Sequence, residues 1–317
     1  MKKTWILGLI ILSILFLGGC STEKNTQQKM GQDIFLQVTD DAGRSVTIKN
    51  KPQRIVCLSP SFFTLVEAVD GKLVGRASSN VGNIPDALVN VPEVGFSYNV
   101  DTERIIALNP DGIIALEGQH NNLVKLFEAN NIPVLLLNVK TYDEVKSKIH
   151  LFGQIFSQTE KSKVLEEKLD AQIKDIVEKT PYENKKIVIL HASAKNVTVE
   201  LEHSIAGSVA KILGFTNVAA KEILTEKADK MPYSLEDLVK YNPDVIFITS
   251  MGTMESVESR LQKDVKGNPA WGALPAVQNG RVFVLPEQLF LVNPGIQYPD
   301  AVRYMAKTVY PEVFANE

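Results

Sequence analysis

The chain carries TERIIALNPDGII at residues 102–114 and LEDLVKYNPDVIF at residues 235–247, two stretches that follow the same pattern. Each has a glutamate near its start, aliphatic residues at helical spacing, an Asn-Pro-Asp triplet and then an apolar run. Proline disfavours helical geometry in the residue before it, so each stretch predicts a short helix, a stop and a buried strand. The matching positions lie 133 residues apart. The repeat therefore predicts an α/β unit that occurs twice.

Further apolar runs alternate with helical patterns around both copies, which is typical of a parallel sheet covered by helices on its two faces. We expect two Rossmann-like lobes, a first lobe over residues 34–158 and a second lobe over residues 185–317. The expected strands of the two lobes lie at residues 55–58, 73–75, 113–116 and 134–137, and at residues 187–190, 197–200, 245–249 and 282–285. Residues 35–48 predict a β-hairpin with its turn at residues 40–43. The fold class is thus α/β with parallel-rich sheets.

Two helices are predicted between the lobes. Thr141 and Glu144 have the spacing of a capping box that opens the first helix, which ends near Ser157. The second covers residues 159–180, with one apolar face, one charged face and a length of roughly 30 Å. Because no Gly/Ser-rich linker separates the lobes, this long helix is expected to join them stiffly, with the ligand cleft between them.

The N-terminal residues predict export. Lys2 and Lys3 precede an apolar run over residues 5–17, which is typical of a signal peptide and too short to span a membrane as a helix. The stretch LGGC at residues 17–20 resembles a bacterial lipobox, which implies that residues 1–19 are removed and that Cys20 carries a lipid. An ordinary secretory signal is the alternative. Residues 20–33 predict a flexible tether on the extracytoplasmic face of the cell membrane.

Composition and motif content favour a binding protein. The chain has 34 Lys and Arg against 37 Asp and Glu, a net charge of −3, with no basic stripe that would suit nucleic acid. Cys57 lies in an apolar run and predicts an inert buried thiol, so we expect no disulfide framework. The chain lacks a Gly-x-Ser-x-Gly elbow, a phosphate-binding P-loop and a Gly-x-Gly-x-x-Gly loop after a strand. We therefore expect no enzyme activity; a lipid-anchored hydrolase is the contrasting alternative.

Several stretches together resemble one family, the substrate-binding lipoproteins of ABC importers for ferric siderophores, haem and cobalamin. The stretches are VTDDAGR at residues 38–44, KPQRIV at 51–56, both repeat units, YSLE at 233–236 and WGALPAV at 271–277, and the resemblance runs from about residue 35 to 314. It implies that an ABC permease dimer with its ATPase is the partner, and that the ligand is an iron complex, haem or cobalamin, with no intrinsic cofactor. It also implies that Glu103 and Glu236 meet arginines of the permease; stabilising the first helical turn is their alternative role.

The loops after the strands are expected to line the cleft, because ligands of open parallel sheets bind beyond the carboxyl ends of the strands. The candidates are Ser61, Phe62, Phe96, Tyr98, His120, Lys195, Tyr233, Met251 and Phe290. Their aromatic, Met and small polar side chains suit a large, partly apolar ligand, while the scarcity of cations disfavours a highly anionic catecholate. Resemblance to haem-binding relatives implies Tyr98 and Met251 as candidate axial ligands, with His120 as another. Apolar lining without an iron bond is the alternative.

The histidines leave two further alternatives open. His191 ends a predicted strand, where it either faces the cleft or is a satisfied core residue. His191, His120 and a carboxylate would suit zinc or manganese if they converged, which predicts a metal-ion importer as a less favoured function. Cobalamin would need only the apolar lining.

Overall fold

The computed structural model of the protein describes residues 34–80, 84–222 and 228–315. The predicted signal peptide, the tether and the lipidation site Cys20 lie outside the described residues. In the described ranges, no helix is both long enough and apolar enough to span a bilayer.

The first lobe contains a hairpin and a mostly parallel sheet. Its elements are β1 (Leu36–Thr39), β2 (Ser45–Ile48), β3 (Ile55–Cys57), α1 (Phe63–Ala68), β4 (Leu73–Ser78), β5 (Glu93–Phe96), β6 (Asn99–Val100), α2 (Thr102–Ala107), β7 (Gly112–Leu116), α3 (Val124–Ala129), β8 (Val134–Leu137) and α4 (Tyr142–Ile155). Strands β1 and β2 pair antiparallel with each other. The described strands of the sheet follow the order β6-β5-β4-β3-β7-β8, and only the β5–β6 pair is antiparallel among them.

Helix α5 (Thr159–Lys179) follows, and the second lobe is built on a second sheet. Its elements are β9 (Lys186–Ser193), β10 (Val197–Glu200), α6 (Ile205–Ile212), β11 (Thr216–Asn217), β12 (Lys230–Pro232), α7 (Leu235–Tyr241), β13 (Val245–Met251), α8 (Met254–Leu261), α9 (Pro269–Gly272), α10 (Pro275–Gln278), β14 (Val282–Val284), α11 (Glu287–Phe290) and α12 (Tyr298–Val309). The described strands run in the order β12-β10-β9-β13-β14, with β11 beside β9. Parallel pairing of β13 with β9 and β14 forms its centre.

Side chains alternate across both sheets and divide the core. Cys57 and Phe247 lie on the faces that share one apolar cluster, which also includes Leu169 and Ile176 of α5. The opposite face of each sheet has its own cluster, covered by the remaining helices of its lobe. Because strand residues point alternately to the two faces, continuous apolar runs were needed to fill both sides. The shared cluster makes α5 part of the core of both lobes.

The two repeat units adopt the same local structure. Asn109 and Asn242 have φ angles of 47° and 46°, so each helix ends in a left-handed residue just before the proline. The carboxylate of Asp111 accepts hydrogen bonds from the backbone N–H groups of Gln53 and Arg54, and that of Asp244 accepts one from Lys186. Each aspartate thus fastens the start of its strand to the neighbouring strand, and the predicted helix–stop–strand unit occurs in both lobes.

A seam formed by residues 139–144 of the first lobe fastens the lobes together beside α5. The Val139 carbonyl accepts a hydrogen bond of 2.6 Å from Asn293 Nδ2, and the Tyr142 N–H donates to Ser208 Oγ at 3.3 Å. The Gly295–Gln297 turn also packs on α1. The lobes are therefore held by side-chain and backbone contacts as well as by the connecting helix.

The structure differs from the expectations mainly at the sheet edges. Strands β6, β11 and β12 have only two or three residues and show no pattern, and Gly95 with its positive φ angle interrupts the four-residue β5. Strand β10 runs antiparallel as the return strand of a hairpin with β9. Strands β9 and β13 extend further than expected, to Ser193 and Met251, through polar residues that ladder bonds satisfy.

Candidate functional site

A cavity of about 190 Å³ lies between the lobes at the carboxyl ends of the central strands. We call the residues that line it the cleft floor. They are Ser61, Leu116, Asn138, Val139, Lys140, His191, Glu200, Ser204, Ile205, Asp229, Lys230, Phe290, Leu291 and Asn293. Both lobes contribute, because β3, β7 and β8 of the first sheet and β9 and β10 of the second end or begin there. This is the position that ligands take in open parallel sheets.

An ion pair crosses the cleft floor from one lobe to the other. Lys140 Nζ lies 2.6 Å from Asp229 Oδ2, and the exposed Lys230 is the next residue along the chain. Burial alone would raise the pKa of Asp229, but the hydrogen bond and charge of Lys140, together with the charge of Lys230, lower it overall. The carboxylate is therefore ionised at neutral pH. Lys140 and Lys230 thus place two ammonium groups at this part of the floor.

A buried polar network forms the second-lobe side of the cleft floor. His191 Nδ1 lies 3.0 Å from Thr249 Oγ1 and 3.2 Å from Glu200 Oε1, and the Thr249 hydroxyl donates to Glu200 Oε1 at 2.7 Å. Burial by itself would raise the pKa of Glu200, but the hydrogen bonds from His191 and Thr249 and the charge of Lys230 outweigh it, so the pKa is lowered. Glu200 is thus an ionised, buried carboxylate.

Beyond the floor, exposed or half-buried apolar side chains lie at the strand ends of each lobe. We call Phe96, Tyr98, Met251 and Met254 the rim. The rings of Phe96 and Tyr98 stack with their centroids 5.4 Å apart, and Tyr98 is 77% exposed. Met251 is 53% exposed at the end of β13, with the exposed Met254 at the start of α8. Flat aromatic and polarizable sulfur-containing surfaces left open to solvent are suited to contact a ligand.

The structure places His120 in a structural role. It is 2% exposed; its Nδ1 accepts a hydrogen bond from the Leu116 N–H, so the proton lies on Nε2, which donates to the Ser97 carbonyl at 2.8 Å. Burial lowers its pKa. Neither ring nitrogen is left for iron or zinc, which contradicts the expectation that His120 binds a ligand.

The other expected cleft residues divide into three groups. Ser61 and Phe290 line the cleft floor. Phe62 is fully buried and packs edge-on against Phe152, which contradicts a ligand contact because its ring belongs to the core of the first lobe. Tyr233 packs against the second-lobe core, and burial raises its pKa to about 12. Lys195 is exposed at the tip of the β9–β10 hairpin.

The two repeat glutamates occupy equivalent, exposed positions. Glu103 and Glu236 each lie in the first turn of their helix, one residue after its start. Asp101 and Ser234 cap the two helices, so neither glutamate is needed as the cap. Each helix precedes a strand that begins at the amino edge of its sheet, so its first turn lies toward the carboxyl edge, where the cleft is. Both carboxylates are thus exposed at that edge.

Sequence reasoning missed most of the polar cleft floor. Lys140, Glu200, Asp229 and Lys230 are not among the expected site residues, and the sequence permits either a core or a cleft position for His191. Lys140 lies three residues after the end of β8, so the strand-end rule would have found it. Glu200 is the last residue of the antiparallel strand β10, and Asp229 directly precedes the edge strand β12. The strand-end rule applies to parallel strands and covers neither position. Among the described residues, no group of three or more His, Cys, Asp or Glu side chains is arranged to hold a bare metal ion.

The two-lobed architecture with an interlobe cavity agrees with a known family. A family model described as periplasmic binding protein matches residues 55–289, well over half of the chain. The chain belongs to the periplasmic binding protein family. The prediction of a solute-binding component of an ABC importer is therefore confirmed at the level of the family, whose members bind and hand over solutes.

Individual members of the family resemble the whole chain. It is 26% identical to the uncharacterized ABC transporter substrate-binding lipoprotein YvrC of Bacillus subtilis (strain 168), over 99% of both chains. It is 27% identical to the Fe(3+)-citrate-binding protein YfmC of the same strain, over 89% of both. The solved structure of Staphylococcus aureus IsdE complexed with heme has a TM-score of 0.72 and 23% identity, covering 81% of this chain and 98% of that one. That structural likeness supports the two-lobed α/β fold.

Proposed function

We propose that the protein captures an iron complex, a ferric siderophore or haem, in the interlobe cleft and delivers it to the permease of an ABC importer powered by its ATPase. The observation that carries the proposal is the cleft floor, a cavity lined by both lobes and flanked by exposed aromatic and Met side chains. The names of two relatives, a ferric citrate-binding protein and a heme uptake protein, support iron complexes as the ligand class.

The chemistry of the cleft suits a ligand that is both apolar and anionic. The stacked rings of Phe96 and Tyr98 and the exposed thioether of Met251 suit the flat or apolar part of such a ligand. Lys140 and Lys230 suit its carboxylates, because an ammonium group forms charge-assisted hydrogen bonds with them. Haem and carboxylate-bearing ferric chelates combine these features.

Tyr98 and Met251 are the rim candidates for direct contact with iron in haem. Both side chains are exposed and follow strands that end at the cleft edge of their sheets. A phenolate and a thioether are established haem ligands in proteins. Phe96 and Met254 would then shield the macrocycle from water.

The membrane anchor is part of the same proposal. The LGGC stretch that ends at Cys20 supports a lipid on this cysteine, and the name of YvrC includes the word lipoprotein. Labelling cells with a palmitate analogue is expected to tag the wild-type protein and not a Cys20→Ala variant, which should leave the membrane fraction. Equal membrane retention of both would contradict the anchor.

A ligand screen tests the function directly. Tyrosine and tryptophan fluorescence quenching and thermal shift would be measured with haemin, ferric citrate, a ferric trihydroxamate, a ferric catecholate and cobalamin. At least one iron complex is expected to quench the fluorescence saturably and to raise the melting temperature, since a ligand that binds only the folded state stabilises it. Binding of cobalamin alone, or of none of the iron complexes, would overturn the proposal.

A further inference from the structure

His191 is a buried histidine whose ring borders the cleft. It lies near the carboxyl end of β9, is 6% exposed, and belongs to the cleft floor. In the ladder it pairs with Thr198 of β10 on one side and with Thr249 of β13 on the other. Neighbouring strands therefore fix its backbone on both sides, and Thr249 and Glu200 contact its Nδ1 as described above.

The hydrogen bonds around the ring decide which nitrogen is free. The Thr249 hydroxyl has one proton and donates it to Glu200 Oε1, so its oxygen accepts from the N–H at His191 Nδ1. In the neutral imidazole, the lone pair is then on Nε2. In the part of the chain that the structure describes, Nε2 has no hydrogen-bond partner. It is also not one of the unpaired polar atoms that are completely shut off from solvent. A buried polar nitrogen without a protein partner beside a cavity is available to a ligand.

We propose that His191 Nε2 binds the iron of the captured complex directly, with Thr249 and Glu200 as positioning residues; this rests on the proposed function. Histidines that ligate metals generally donate their other N–H to a carboxylate or another oxygen, which fixes the tautomer and makes the free nitrogen a better donor. His191 has this arrangement before any ligand arrives. On binding, the Nε2 lone pair forms a bond to Fe(III) and one labile ligand, a water or a carboxylate oxygen, leaves. The proton stays on Nδ1, and no electron is transferred.

The inference narrows the class of ligand. An imidazole can join the iron only where a coordination position is exchangeable, as in haem or in a carboxylate chelate such as ferric citrate. A hexadentate siderophore fills every position and offers His191 nothing to bind. The adjacent Lys140 and Lys230 also suit a complex with free carboxylates. The cleft is therefore expected to prefer coordinatively open iron complexes.

The first test compares His191→Ala with His150→Ala, a substitution of an exposed histidine on α4. Binding of haemin and of ferric citrate would be measured by titration, and the visible spectrum of the haemin complex recorded. We expect His191→Ala to weaken both at least about ten-fold and to change the spectrum, which added imidazole should restore, while His150→Ala matches the wild type. Unchanged affinity and spectrum in His191→Ala would overturn the inference.

A second test leaves His191 in place. Glu200→Gln and Thr249→Val each remove one support of the ring and are expected to weaken iron-complex binding by roughly 10- to 100-fold, as loss of outer-sphere partners does at other metal sites. Because these residues are buried, circular dichroism of each variant would establish that it folds. Wild-type affinity in both folded variants would count against the positioning roles.

A third measurement needs no variant. Electron spin-echo spectroscopy of the wild-type protein loaded with ferric citrate or haemin, with and without ¹⁵N-histidine labelling, is expected to show coupling of iron to one histidine nitrogen. A loaded protein without that coupling would refute direct binding by His191. If neither probe loads the wild-type protein, and the ferric trihydroxamate and catecholate also fail, the proposed function itself is wrong, so the two failures are distinguishable.

Discussion

At the scale of single residues, Gly295 shows how closely the lobes approach each other. Its φ angle is 57°, and a Cβ built there would collide with Thr64 Oγ1 of α1 in the first lobe. A side chain at this position would be strained twice, once by the left-handed backbone and once by the clash. Gly295 therefore permits the contact between the Gly295–Gln297 turn and α1.

We predict that Gly295→Ala lowers the free energy of unfolding by about 2–4 kcal/mol, the sum of a left-handed penalty and an overpacking cost. Gly280→Ala is the matched control, since its φ is 65° and a Cβ there meets nothing within 4 Å; it should cost only about 1–2 kcal/mol. Urea unfolding would compare them. Adding Thr64→Ala to Gly295→Ala should recover part of the lost stability. If Gly295→Ala and Gly280→Ala cost the same, the turn at Gly295 would not be tightly packed against Thr64.

Cys57 illustrates a residue whose role follows from its surroundings. Its side chain is fully buried in β3, and burial raises its pKa to about 12. A thiol that is neither ionised nor accessible is a poor nucleophile and a poor metal ligand. The sequence-based expectation that this thiol is buried is confirmed.

At the scale of elements, the repeat unit places equivalent residues in equivalent conformations. Asn109 and Asn242 both end their helices in the left-handed region. Asn109→Ala and Asn242→Ala should each destabilise the protein by about 1 kcal/mol, because alanine pays the left-handed penalty. The corresponding Gly variants should be close to neutral. Thermal unfolding measures this, and a large difference between the two positions would argue against structural equivalence.

The repeat glutamates lead to a functional prediction. Replacing Glu103 and Glu236 together with alanine should lower ligand uptake by cells at least about ten-fold, because charged pairs at protein interfaces contribute on the order of 1.5–7 kcal/mol of coupling. Ligand affinity of the purified protein should stay unchanged. Glu160→Ala, which removes an exposed first-turn glutamate of α5, is the control and should transport normally. Full uptake by the double variant would contradict the expectation that these residues meet the permease.

At the scale of the whole molecule, the seam and α5 hold the lobes together around the cleft. His203 Nε2 lies 3.3 Å from Glu144 Oε1, adding a further contact between the second lobe and the seam. Apolar residues of α5 join the core that both lobes share. We therefore expect ligand capture to involve small adjustments of the cleft floor, such as release of Lys140 from Asp229, more than a wide opening of the lobes.

The ion pair across the cleft predicts a pH dependence of stability. The pKa of Asp229 is lowered below its ordinary value of 3.8, so the pair stabilises the folded state at neutral pH. Below that value the unfolded chain takes up the proton first, and the contribution disappears as the pH falls through the folded-state pKa. The difference in unfolding free energy between wild type and Asp229→Asn should thus be constant at neutral pH and shrink in acid.

Asp143→Asn is the control for this measurement, because the Asp143 side chain is almost fully exposed and pairs only loosely with Lys146 at 3.9 Å. Its difference from the wild type should be small at every pH, as expected for a surface charge. A wild-type advantage over Asp229→Asn that persists unchanged in strong acid would show that the interlobe pair is not its source.

The sequence by itself determined the elements that repeat and alternate. The Asn-Pro-Asp units, the capping box of α4, the whole of α5 and the central strands depend on local rules: proline geometry, side-chain capping and the periodicity of apolar residues. Such signals act between residues that are close in the chain. The repeat units that carry several of them are also among the stretches that resemble the family. Strands of two or three residues carry too little pattern, which is why β6, β11 and β12 were missed, and Gly95 with its positive φ angle interrupts the four residues of β5.

Only the tertiary structure decided which polar groups meet. His120 and His191 both follow apolar runs, yet folding gives both nitrogens of His120 to backbone groups and leaves one nitrogen of His191 beside the cleft. Lys140 and Asp229 are far apart in the chain and form an ion pair only because the lobes pack together. Hydrogen bonds and charges act over a few ångströms, so their partners depend on how the sheets are placed, which local sequence patterns do not encode.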